Sequence, residues 1–162
     1  MATIITDLKE SFRRGNIYIQ LIYINVGVFV LTTLTEVILQ LFNRSLGGMF
    51  EWLELPASLS RFIVQPWSIL TYMFMHAGVL HILFNMLWLY WFGALFLNFF
   101  SAKHLRGVYI LGGICGGILY MAAYNIFPYF QPMTEYSFML GASASVLAIV
   151  AATAYREPNY PI

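Results

Sequence analysis

The chain has 162 residues, of which 60% are hydrophobic and only 9% charged, with a net charge of +1 and a mean hydropathy of +0.75. A soluble domain carries about 25% charged residues, so there are too few charges here to cover a water-facing surface, and the outer wall is read as facing lipid. Arg13-Arg14 is the longest basic run and Cys115 the single cysteine, which excludes a nucleic-acid surface, an intrachain disulfide and a thiolate metal cluster.

The opening residues, MATIITDLKESFRRGN, are polar and mixed in charge. The apolar stretch after them is longer than the roughly 7 to 15 residues of a signal-peptide core, so it is read as a retained helix. Four segments supply the ~20 mainly apolar residues that a membrane crossing requires: 17–42, 79–100, 107–127 and 137–155. No internal repeat interrupts them, and residues 1–162 are taken as one all-α, polytopic transmembrane bundle. The long connection between the first two segments holds Gly47-Gly48, Trp52, Pro56, Trp67 and Tyr72. Its aromatic content places it in the membrane interface, where tryptophan and tyrosine prefer to sit. Gly112, Gly113, Gly116 and Gly117 form two overlapping G-x-x-x-G patterns in the third segment, the signature of a helix that lets a neighbour approach its backbone closely. The fourth segment, with Gly141, Ala142, Ser143, Ala144, Ser145 and Ala148, is likewise rich in small residues and reads as a helix packed inside a bundle. Cys115, in the third segment, is read as a small buried apolar residue.

Under this four-helix reading Lys9, Arg13, Arg14, Lys103, Arg106 and Arg156 share one side, against Arg44 and Arg61 on the other. Short cytoplasmic loops retain positive charge. The N-terminus is therefore expected in the cytoplasm of a plasma (inner) membrane protein, with the long connection and the 127–137 loop outside.

His81 and Asn85 are four residues apart at the start of the second helix and project from one face. If the fourth segment is helical throughout, Ser143 lies up to ~12 Å below the outer boundary, at a comparable depth. Each residue has a plainer explanation taken alone. A serine in a membrane helix commonly bonds back to its own backbone, and histidine or asparagine can join helices. Polar groups at such depth are nonetheless costly and lean towards function. Glu36, near the outer end of the first helix, could be a functional acid, but snorkelling or hydrogen bonding explains it at least as well, and no motif places it in the site. His104, between Lys103 and Arg106, is a solvated loop residue on the side away from Ser143. His76 and His81 lack the further ligands that zinc requires, so no metal site is expected. Gly141-Ala-Ser143-Ala-Ser145 also departs from the G-x-S-x-G elbow of soluble hydrolases.

Taken together, His76-Ala-Gly-Val-Leu-His81-Ile-Leu-Phe-Asn85 and Gly141-Ala-Ser143-Ala resemble the second and fourth helices of the rhomboid family of intramembrane serine proteases. The resemblance implies a six-helix core of which this chain holds the first four, the domain being truncated before the last two. It implies that Ser143 is the nucleophile, that His81, Asn85 and the Ser143 backbone N–H form the oxyanion hole, and that His76 and Gly141 support them. The base would be a histidine beyond Ile162, leaving these 162 residues inactive alone. No cofactor is called for, and the partners would be transmembrane protein substrates within the lipid bilayer. The chain departs from the family at Ala144, where glycine is frequent, at Leu147, where an aromatic residue is common, and at Leu97-Asn98, where an acidic residue is often found. Two other classes fit the composition. One is a catalytically inactive rhomboid-like protein that binds membrane partners; the other is a small transporter or channel subunit, whose polar groups belong near the midplane.

Overall fold

A computed structural model describes residues 15–44 and 48–159, together with residues 6, 9, 10, 12 and 13. The uninterrupted apolar run after Asn16 forms α1 (Ile17–Leu41). In hydrocarbon every backbone polar group must be satisfied internally, and a continuous helix achieves this. Thr32 and Thr35 turn their hydroxyls onto α1's own backbone, donating to Val28 O at 3.0 Å and Leu31 O at 2.7 Å. The connection then runs through a 3-10 turn (Met49–Trp52), β1 (Leu55–Pro56), α2 (Leu59–Val64), α3 (Ser68–Thr71) and a second 3-10 turn (Tyr72–Phe74). It leads to α4 (Val79–Phe96), α5 (Ala102–Ile126), a 3-10 turn (Gln131–Met133), β2 (Phe138–Met139) and α6 (Ser143–Arg156).

The protein is an all-α, polytopic helical bundle: α1, α4 and α5 are each long and apolar enough to cross a membrane, and α6 is a shorter apolar helix. Helix α4 ends at Phe96, four residues before the expected bound at 100, and the two boundaries of α5 shift for local reasons. Helix α5 begins five residues earlier than the apolar run, because Ser101 caps it, its hydroxyl accepting from the His104 backbone N–H at 3.5 Å. It ends at Ile126, since Phe127 precedes Pro128 and is driven out of the helical region. The larger correction concerns the segment 137–155. Residues 137–142 are not helical, and α6 begins only at Ser143.

The glycines of α5 admit a neighbouring helix, and the structure shows which one. Helices α5 and α6 make the most extensive contact, and a methyl group at Gly112 or Gly116 would overlap Ala148 or Ala144. Helix α6 also lies against α4, and α1 leans on α4 where Tyr18 covers Gly93. Cys115, expected to be buried, is exposed: it lies on the opposite face of α5 from Gly113 and Gly117, both buried.

The second half of the connection departs from a purely interfacial loop. Tyr72 and Met73 are 1% and 0% exposed, and the Tyr72 hydroxyl donates to Gly113 O at 2.6 Å. Irregular backbone is tolerated at such a place because protein, rather than lipid, surrounds it. Beside it, Asn25 Nδ2 on α1 donates to the Tyr109 hydroxyl at 3.2 Å, which in turn donates to Met73 O at 3.4 Å. This buried chain ties three elements together.

Candidate active site

The strand β2 explains where Ser143 sits. Leu55 pairs with Met139 and Pro56 with Phe138 in an antiparallel bridge, extended by the Ala57 N–H donating to Ser137 O at 3.0 Å. The chain therefore enters the bundle extended and turns at Gly141, whose φ is +117°. That conformation favours glycine. The Gly141 N–H donates to Tyr72 O at 2.9 Å, so the buried part of the connection holds the turn. Ser143 is the first residue of α6, and its N–H has no acceptor within the helix, as in any first turn.

This replaces the continuous helix from which the depth of Ser143 was first argued. Fourteen residues of α6 span about 21 Å, against a hydrocarbon thickness of about 30 Å. Helix α6 alone is therefore shorter than the hydrocarbon is thick. Extended chain, instead of helix, leads from the loop to Ser143.

Helix α4 brings the other residues to the same level. His81 and Asn85, one turn apart, share with Ser143 a groove of about 430 Å³ between α4 and α6. Leu80, Phe84, Trp88, Val146 and Leu147 complete its walls. The sequence reading missed Phe84 and Trp88 as part of this site, although their spacing from His81 by three and seven residues puts them on one helical face. Leu147, the departure from the family's aromatic, stands in the wall one turn after Ser143.

The imidazole of His81 is oriented by its surroundings. Its Nδ1 accepts the Ala77 N–H at 3.4 Å, which assigns the proton of the neutral ring to Nε2. A Cβ placed on Gly141 would lie 2.7 Å from that Nε2, so glycine both forms the turn and makes room for the ring. Asn85 is buried and donates one amide hydrogen to His81 O at 2.9 Å. Its second amide hydrogen is not used in that bond. Gly141 and His81 are therefore packed together, and His81, Asn85 and Ser143 face one space.

His76 lies behind the groove. It is buried, its ring meets that of His81 edge to face at 5.1 Å between centroids, and neither ring nitrogen has a hydrogen-bond partner among the described residues. Burial, reinforced by His81, lowers its pKa to about 4 from an ordinary 6.5. As pH falls the unfolded chain takes up this proton first, so stability is full above about 6.5 and lost progressively between about 6.5 and about 4. Glu54, pushed up to about 7 by burial and then by Glu51 and Glu36, acts in the opposite sense, disfavouring the fold as pH rises from about 4.5 to about 7. The thermal midpoint of the wild type should therefore fall relative to that of His76→Leu between pH 7 and pH 4.5. Parallel curves would show that His76 does not titrate in this way.

Of the other titratable candidates, His104 is at the far end of the bundle, where its Nδ1 meets Ser101 Oγ at 2.8 Å. Glu36 lies on the exposed side of α1. Neither belongs to the groove. Among the described residues, no group of three or more histidine, cysteine, aspartate or glutamate side chains could hold a metal ion.

The family model of the rhomboid domain matches residues 64–162, a stretch that contains His76, His81, Asn85, Gly141 and Ser143. This chain belongs to the rhomboid family. A stretch of 55 residues is 38% identical to the RHOMBOID-like protein 7 of Arabidopsis thaliana, covering 34% of this chain and 18% of that protein. The helices, the family match and the apolar outer faces of α1 and α5 make this rhomboid an integral membrane protein.

Proposed function

We propose that this rhomboid is an intramembrane serine endopeptidase that cleaves transmembrane proteins, with Ser143 as nucleophile. The observation that carries the reading is the convergence of Ser143, His81 and Asn85 on one apolar groove. Ser143 Oγ attacks the scissile carbonyl carbon, forming a C–O bond, while its proton passes to a histidine base. The oxyanion accepts hydrogen bonds from His81 Nε2–H, Asn85 Nδ2–H and the Ser143 N–H. Collapse then breaks the C–N bond, the base returns the proton to the leaving amine, and water hydrolyses the acyl-enzyme. No cofactor enters these steps.

None of the three histidines of this sequence is placed to serve as the base in this scheme. His81 already carries its proton on the nitrogen beside Gly141, His76 is enclosed behind it, and His104 is at the other end of the bundle. Donors set in a water-poor groove are worth more than in bulk water, and losing one typically lowers the rate by about two to three decades. A substrate helix would enter sideways from lipid over Leu80, Phe84 and Leu147, all more than half exposed.

Covalent labelling tests the assignment. A serine-reactive fluorophosphonate should label Ser143 of the full-length protein in its membrane, and His81→Ala should slow labelling about a hundredfold while leaving the protein folded. No labelling would favour the rival reading, a rhomboid-like protein that binds membrane partners without cutting them.

The orientation proposed with this function has the N-terminus in the cytoplasm and the groove opening outward, in a plasma (inner) membrane. Residues 102–106 and Arg156 share the end of the bundle at which α1 begins, so Lys103, Arg106 and Arg156 cluster there as retained cytoplasmic charge. In a Cys115→Ala background, a cysteine at Gln131 should react with an impermeant maleimide added outside intact cells, and one at Lys103 only after lysis. The reverse pattern would invert the topology.

A further inference from the structure

The groove of Ser143 does not account for a second recess in the connection between α1 and α4. It has a volume of about 290 Å³ and lies between the Met49–Trp52 turn, α2 and the end of β2, with Glu51, Trp52, Arg61, Val64, Gln65 and Phe138 in its walls. Three features make it a prepared site. Its walls are fixed: Gln65 Nε2 donates to Glu51 O and Glu54 O, each at 3.1 Å, and Trp67 Nε1 donates to Trp52 O at 2.8 Å while the two indoles stack. Its cation is positioned but not consumed: Arg61 lies over the Phe138 ring at 5.4 Å, and its approaches to Glu51 and Glu135 are both 3.9 Å. Those separations exceed hydrogen-bonding distance, about 2.7 to 3.2 Å, so both pairs leave guanidinium N–H donors available. Its rim is apolar and outward-facing: Ile63 and Val64 of α2 are 77% and 60% exposed, beside half-exposed Trp52. Exposed aliphatic side chains next to tryptophan on a short helix are the pattern of an element lying at the membrane surface.

We infer that this recess binds the headgroup of a zwitterionic phospholipid bearing a primary ammonium, of the phosphatidylethanolamine class. The phosphodiester would take the open donors of Arg61, a guanidinium being well matched to phosphate. The ammonium would meet the carboxylate of Glu51 in the wall of the recess, and the acyl chains would run past Val64 and Ile63. Formal charge selects this lipid. One guanidinium and two carboxylates carry a net −1, which opposes a headgroup of net negative charge and accepts one whose ammonium offsets its phosphate. The inference does not depend on the proteolytic reading, because it uses none of the groove residues.

The test is native mass spectrometry of the full chain released from nanodiscs with equal phosphatidylethanolamine and phosphatidylglycerol. Phosphatidylethanolamine should be retained about tenfold over phosphatidylglycerol, and Arg61→Gln should lower its retention about tenfold or more with helical circular dichroism unchanged. Equal retention of the two lipids, a preference for phosphatidylglycerol, or retention indifferent to Arg61→Gln would each overturn the assignment. Displacement of the lipid by millimolar inorganic phosphate would show a free-anion site and also overturn it. Should Arg61→Gln lose helicity, Glu51→Gln decides the matter. The ratio of phosphatidylethanolamine to phosphatidylglycerol should fall about tenfold in that variant, and an unchanged ratio refutes the site.

Discussion

Ser143→Ala in the full-length protein should reduce cleavage of a model transmembrane substrate in liposomes by about four orders of magnitude or more, with expression and thermal stability unchanged. The size of the effect follows from the proposed chemistry: without Oγ there is no acyl-enzyme, and only the positioning and oxyanion terms remain. Stability should be insensitive because Ser143 is exposed at the start of α6 and no neighbour depends on its side chain for packing. Ser145, two residues later, is the contrast. It is fully buried against Gly113, so its replacement is a packing change and serves as the control. Cleavage that persists in Ser143→Ala while Ser145→Ala abolishes it would move the nucleophile and sink the assignment.

The second large effect is expected at Gly141, which contributes no reactive atom. Gly141→Ala places a methyl group 2.7 Å from His81 Nε2 and 2.8 Å from Cε1, at a φ of +117°. The strain is about 1 to 3 kcal/mol, and the ring can relieve the clash only by leaving the position proposed for it in the oxyanion hole. Activity should therefore fall about a hundredfold, with the helices intact. A double-mutant cycle separates this mechanism from general damage. If the methyl acts through His81, then Gly141→Ala combined with His81→Ala should be little worse than His81→Ala alone. Additive losses would mean that the turn itself, held by Tyr72 O, is what matters.

Much of this protein is legible along the chain. Membrane residence and the first three long helices follow from apolar runs with too few charges, because the cost of an unsatisfied backbone in hydrocarbon leaves the helix as the solution. That α5 packs closely on a neighbour is also a local matter, since Gly112 and Gly116 recur on one face and remove the side chains that would keep another helix away. The pairing of His81 with Asn85 is helical spacing, and so, in retrospect, is the addition of Phe84 and Trp88 to their face.

The start of α6 was not legible in this way. Residues 137–142 are as apolar as the helix that follows, and hydropathy alone does not distinguish a buried strand from a buried helix. What decides between them is a partner remote in sequence: β1 offers backbone groups to Phe138 and Met139, and Tyr72 O takes the Gly141 N–H. The burial of Tyr72 and Met73 is likewise a tertiary outcome, reached because Gly113 and Gly117 leave space beside α5. The exposure of Cys115 depends on which face of α5 those glycines turn inward. By itself, then, the sequence determined the membrane class, the spacing of the polar residues and the family. Only the tertiary structure decided that Ser143 opens its helix, with its N–H unbonded and His81 packed on the turn before it, because hydrogen bonds between distant segments, and not local periodicity, end the strand and begin the helix.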